Sequence, residues 1–132
     1  MNLFEGAKRT HPSRRHPAAQ HFANEVERDF AHLLDLYGLQ WRYEPRDFVI
    51  ARDERGRTTR SFRPDFYLPR LDLYVEITAM RQALVTQKNS KIRGFRALFP
   101  EVRLEVLYRR DLEDFFTRHG LALPECRPTQ GA

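Results

Sequence analysis

The sequence predicts an α/β (α+β) domain: a mixed β-sheet of about four strands flanked by helices, in the order αβββαβα. Three observations predict it. Two long stretches repeat apolar residues at helical spacing, and the segments around them alternate apolar and polar residues as strands do. A helix links the third strand to the fourth, which suits a crossover to a parallel neighbour. The length of 132 residues suffices for one compact domain. An apolar share of 41% with 12% aromatics is that of a chain that folds rather than one that stays disordered.

The first helix is expected over residues 19–37, with Val26, Phe30, Leu33 and Tyr37 on one face and Gly38 as its stop. Trp41, Tyr43 and Pro45 form an extended entry to a short strand at Phe48, Val49 and Ile50. DERGR at residues 53–57 is a hairpin turn with Gly56 at the bend. A second strand is expected from Phe62 to Tyr67, a turn at Leu68-Pro69-Arg70, and a third strand from Leu73 to Thr78. The second long helix spans 84–99 on the stripe Leu84, Ile92, Phe95 and Phe99, and Pro100 ends it. Val102 to Tyr108 alternates as a half-buried strand. Arg110 to His119 is a short helix with Leu112, Phe115 and Phe116 inward. The chain divides into a basic arm at 1–19, a folded domain at 20–120 and a polar tail at 121–132.

The net charge of +5 favours polyanionic partners. The excess is concentrated. Residues 1–19 carry Lys8, Arg9, Arg14 and Arg15 against the single acid Glu5, a net +3. That arm is either a solvated terminus or a strap along phosphates. No stretch approaches the ~20 apolar residues of a membrane span, and no secretory leader is recognisable, so the expected compartment is the cytoplasm. Cys126 is the single cysteine, which excludes an internal disulfide and argues against structural zinc. The five histidines form no HxH or HExxH pattern, and no P-loop, GxGxxG or nucleophile triad can be placed.

The chemistry concentrates in RPDFYLPRLDLYVEITAM, residues 63–80. Asp65 and Glu76 fall on neighbouring strands of a hairpin, so pairing across the turn brings them together. Converging carboxylates repel and resist burial, and a hard divalent cation relieves both costs. The Ile77 carbonyl adds a third oxygen. The plain alternative is a Glu76 that faces solvent on a one-sided sheet. Glu27 has Ala23, Phe30, Ala31 and Leu34 as helical neighbours, so it lies at the edge of the apolar face. It either turns toward the other two acids or reaches out to water. On the second long helix, Lys88 falls in the inward stripe and Lys91 at its edge. An inward lysine needs an anionic partner or must snorkel.

The ordered set of Glu27, Pro64-Asp65 and Glu76-Ile77-Thr78, with the phrases ERDFAHLLDLYGLQWRYEP and FRPDFYLP around it, resembles the PD-(D/E)XK nuclease superfamily over about residues 20–110. The resemblance implies a restriction-endonuclease-like three-layer core and Mg2+-dependent cleavage of DNA, with Mn2+ as a substitute. It implies metal held by Asp65, Glu76 and the Ile77 carbonyl, with Glu27 serving a second ion or acting through water. Lys8, Arg9, Arg14, Arg15, Arg63 and Arg93 would contact nucleic acid. The family pattern has a lysine where this chain has Thr78. Some members are thought to supply it from the following helix, which makes Lys88 or Lys91 the catalytic lysine here. A domain this small that cuts two strands would act as a homodimer or as a subunit of a larger DNA-processing complex. The rivals are a non-catalytic nucleic-acid-binding module on the same fold and a ribonuclease.

Overall fold

A computed structural model describes residues 20–79 and 82–124. The basic arm with Lys8, Arg9, Arg14 and Arg15, and the end of the tail with Cys126, lie outside the described residues.

The first helix among the described residues is α1 (Glu25–Leu36). Asn24 caps it: extended at φ −156°, it accepts the Glu27 N–H on its side chain at 3.0 Å. Glu25 and Glu27 in the first turn suit the positive end of the helix dipole. The helix therefore starts later than the expected residue 19, because the side chain of Asn24 takes up a backbone donor at that point. Gly38, at φ +74°, turns the chain out of the helix.

The described residues form six strands: β1 (Arg42–Tyr43), β2 (Phe48–Arg52), β3 (Thr58–Phe62), β4 (Phe66–Leu68), β5 (Leu73–Thr78) and β6 (Leu104–Tyr108). Helix α2 (Gln82–Leu98) connects β5 to β6. A 3₁₀ turn (Arg109–Asp111) leads into α3 (Leu112–Arg118). The main sheet runs β1-β4-β5-β6, with β2 and β3 forming a separate hairpin. β1 and β4 pair antiparallel, as do β4 and β5, whereas β5 and β6 pair parallel. A mixed sheet and a crossover helix are as predicted, but the strand expected at Phe48, Val49 and Ile50 lies in the separate hairpin, and the main sheet instead includes β1, expected only as an extended entry.

One expected element divides. The single strand expected from Phe62 to Tyr67 is two strands in two sheets, β3 ending at Phe62 and β4 beginning at Phe66. Pro64 has no N–H to donate to a ladder, so regular pairing stops there. The chain crosses from the hairpin to the main sheet over Arg63-Pro64-Asp65, anchored by the Asp65 carbonyl, which accepts from Glu44 N at 2.7 Å.

The two faces of the sheet are covered differently. Phe66, Leu68, Leu73, Val75, Ile77 and Leu107 pack with Val26, Phe30 and Leu34 of α1 and with Phe115 and Phe116 of α3. On the other face, Tyr74, Leu104 and Val106 meet a second core, Phe48 and Phe62 of the hairpin with Ile92 and Phe95 of α2. Phe48 and Phe95 meet edge to face at 4.8 Å. Strand alternation places Glu76 and Thr78 on this second face with Tyr74. The hairpin lies close to α2 because Gly94 leaves it room: a Cβ there would sit 2.9 Å from Ile50 Cγ2.

Gly94→Val should therefore cost about 1–3 kcal/mol through overpacking against Ile50, read from denaturant unfolding of the whole chain. An unchanged midpoint would contradict this packing.

Candidate active site

Asp65 and Glu76 sit where β4 and β5 would continue their ladder past the pair Phe66↔Val75. Side chains replace the missing backbone bonds. Asp65 Oδ2 accepts the Ile77 N–H at 2.7 Å, and Glu76 Oε1 accepts the Asp65 N–H at 3.2 Å. Each acid thus holds the other's strand, and both are buried, at 9% and 4% exposed. Among the described residues, nothing donates to Asp65 Oδ1.

Lys88 reaches into this pair from α2. Its ammonium lies 2.7 Å from Glu76 Oε2 and donates to the Ile77 carbonyl at 2.7 Å. The Lys88 side chain is 13% exposed. Lys88 thus has an anionic partner rather than a snorkelling path. Lys91, one helical turn further on, is exposed and has no partner among the described residues.

Glu27 is buried, at 4% exposed, so it does not reach out to water. Its carboxylate accepts from Ala23 N at 3.1 Å and from the Tyr43 hydroxyl through a short hydrogen bond. It bonds to neither of the other acids, but its charge is felt by both. Burial, then the hydrogen bond to Glu27, raises the Tyr43 phenol far above its ordinary value, so that hydroxyl remains a donor. The role of Tyr43 was missed in the sequence, where it stood only as part of an extended entry. Its signal was faint: an aromatic hydroxyl beside a buried Trp41 needs a polar partner.

The charge balance of the pair is unfavourable. Burial first, then Glu76 and Glu27, pushes the Asp65 carboxyl up to about 9. Burial raises Glu76 as well, against the opposing pull of Lys88. Two acids and one lysine thus favour uptake of a further positive charge, whether a proton or a metal ion.

A cleft of about 480 Å³ opens beside the pair, between the hairpin and α2. Glu76, Lys88, Lys91, Arg63 and Gln87 contribute to its walls. Arg63 is already engaged: its Nε and Nη2 meet the two oxygens of Asp47 at 2.6 and 3.2 Å. That pairing holds the Asp47 carboxyl below its usual range. Arg93 is exposed but does not line the cleft. Helix α2 lines the cleft with Lys88, Lys91 and Gln87, and Asp47 lies beside Arg63 in its wall.

The donor set suits a hard divalent ion. It offers two carboxylates and the Ile77 carbonyl, and among the described residues nothing donates to Asp65 Oδ1. Among the described residues no three His, Cys, Asp or Glu side chains are grouped to enclose a metal. Mg2+ does not require that, because it keeps several waters and commonly takes one or two carboxylates. Thr78 is buried on β5 opposite Tyr108 of β6. Comparison with known proteins gives no match to a protein-family model, to a curated protein or to a solved structure.

The raised Asp65 carboxyl makes a signed prediction for the protein in chelator. Its unfolded value is near 4, so the native state holds more protons between about pH 4 and 9. The stability contributed by Asp65 is complete below that window and is lost as pH rises through it. Unfolding midpoints should fall from pH 5 to pH 9, and Asp65→Asn should flatten the slope. A wild-type slope matching that of Asp65→Asn would contradict the assigned environment.

Proposed function

We propose that this chain is a metal-dependent phosphodiesterase that cuts DNA, built on a restriction-endonuclease-like three-layer arrangement. One observation carries the reading. Two buried carboxylates lie side by side on adjacent strands, and a helix-borne lysine meets one of them, Glu76, at 2.7 Å, at the wall of a cleft that Lys91 and Arg63 also line. Such a group is costly to bury for structural ends alone. Breaking or unbalancing a buried charge cluster is destabilising, and apolar residues could replace it without loss.

In this reading Asp65, Glu76 and the Ile77 carbonyl hold Mg2+, with Mn2+ as a substitute. The ion supplies polarisation of a phosphoryl oxygen and a more acidic bound water. The chain's own residues do the rest. Lys91, exposed in the cleft wall, draws in the phosphate backbone. Lys88 and Lys91 place positive charge where the phosphate gains negative charge. Glu27, fixed by Tyr43 and the start of α1, contributes through its field on Asp65. The bonds between the Asp65 and Glu76 side chains and the backbone N–H groups lock both carboxylates in position, so substrate need not order them.

A second reading is favoured by Thr78. Without a lysine on β5 the chain would be a nucleic-acid-binding module with a silent site. The short Lys88–Glu76 contact supports the enzyme over this module, because it brings a lysine to the acid pair from α2.

Cleavage assays on linear, branched and single-stranded DNA and on RNA, with Mg2+ or chelator, test the proposal. Metal-dependent cutting of DNA is expected. Asp65→Ala and Glu76→Ala should each abolish it while retaining most binding, since phosphate contacts supply most affinity. Binding without cutting under all conditions would establish the module instead, and a preference for RNA would make the chain a ribonuclease.

A further inference from the structure

Lys88 stands in an unusual place for a lysine that is to meet substrate. Its ammonium does not point free into the cleft. It is held at 2.7 Å by both Glu76 Oε2 and the Ile77 carbonyl. Those are two of the three oxygen groups that the proposed function assigns to the metal. We propose that Lys88 is an exchangeable internal cation: it holds Glu76 and the Ile77 carbonyl in the metal-free protein, and releases both to a divalent ion. This inference rests on the metal-dependent reading.

Two cations that share the same two oxygens lie within about 5 Å of each other, where their repulsion in a buried site is large. One of them must leave. Lys88 has somewhere to go, because it lines the cleft together with Gln87 and Lys91. Its side chain is long, flexible and strongly hydrated, so release costs it little. The oxygens have the opposite need. Glu76 is buried and cannot be left without a positive partner, and the Ile77 carbonyl lies beside it. Among the described residues nothing donates to Asp65 Oδ1, and Lys88 does not bond to Asp65. The lysine thus fills part of the donor set and leaves the rest for an ion that outcompetes it.

The exchange has a functional consequence. Loading the site sets the Lys88 ammonium free at the cleft wall, where an incoming phosphate would lie. The charge that Thr78 does not supply from β5 is thereby delivered from α2, and only when the metal is in place. Metal-free protein keeps the lysine locked, so it would bind nucleic acid without presenting that charge.

The test needs no nucleic acid and no turnover. Mn2+ is titrated calorimetrically into the full chain at pH 8, in wild type, Lys88→Met and Asp65→Asn. Methionine keeps the length of the side chain without the charge. Lys88→Met should bind Mn2+ on the order of 10- to 100-fold more tightly than wild type, because the internal competitor is gone. Equal or weaker binding by Lys88→Met, with Asp65→Asn binding poorly, would overturn the exchange and leave the metal site standing. No Mn2+ binding by wild type or by Lys88→Met would overturn both. Should Lys88→Met fail to fold, the ammonium nitrogen resonance of Lys88 in wild type decides. It should be sharp and protected from solvent in chelator, and take the position of a free lysine on adding Mg2+. A signal that Mg2+ leaves unchanged overturns the proposal.

Discussion

The structure depends on burying two carboxylates side by side. Asp65 and Glu76 occupy the place where the β4–β5 ladder would otherwise continue, and each accepts a backbone N–H from the other's strand. A buried charge without compensation is worth several kcal/mol of destabilisation. Here the compensation is partial: two backbone N–H groups and one ammonium serve two acids, with a third acid, Glu27, adding its field. The raised Asp65 carboxyl expresses the remaining imbalance.

Much of the surrounding architecture follows from that constraint. Pro64 ends the hairpin strand and turns the chain, so that Asp65 enters the main sheet at its junction with the hairpin. The β5–α2–β6 crossover returns a helix across the face that bears Glu76, and Lys88 lies on it. Gly94 lets the hairpin close against α2, which shapes the cleft outside the acid pair. The opposite face has no such task and is filled by the aromatic cluster of Phe30, Phe66, Phe115 and Phe116.

The coarse fold was legible because its signals are periodic. β5 has the expected bounds, and α2 and the parallel crossover lie where the spacing puts them. The convergence of Asp65 and Glu76 was legible too, because a hairpin register fixes which residues face each other. The misses were local. The division between Phe62 and Phe66 needed attention to the missing donor of Pro64. The start of α1 was written in Asn24 and Glu27, a capping residue with a glutamate three positions on, which outweighs the polar residues before it. Arg63 reads as a free cation in sequence, yet Asp47 claims it, a partner 16 residues away that no local pattern reveals. The depth of Lys88 was readable from its stripe, but its double contact with Glu76 and the Ile77 carbonyl needed three dimensions.

The account's central claim is that the acid pair is short of positive charge in the metal-free protein. Carbon-13 NMR of the Asp65 side-chain carboxyl, titrated with and without Mg2+, measures this directly. In chelator Asp65 should remain protonated at pH 7 and titrate near pH 9, and Mg2+ should move the titration well below neutrality. An Asp65 that titrates near 4 in chelator, or that ignores Mg2+, would contradict the account.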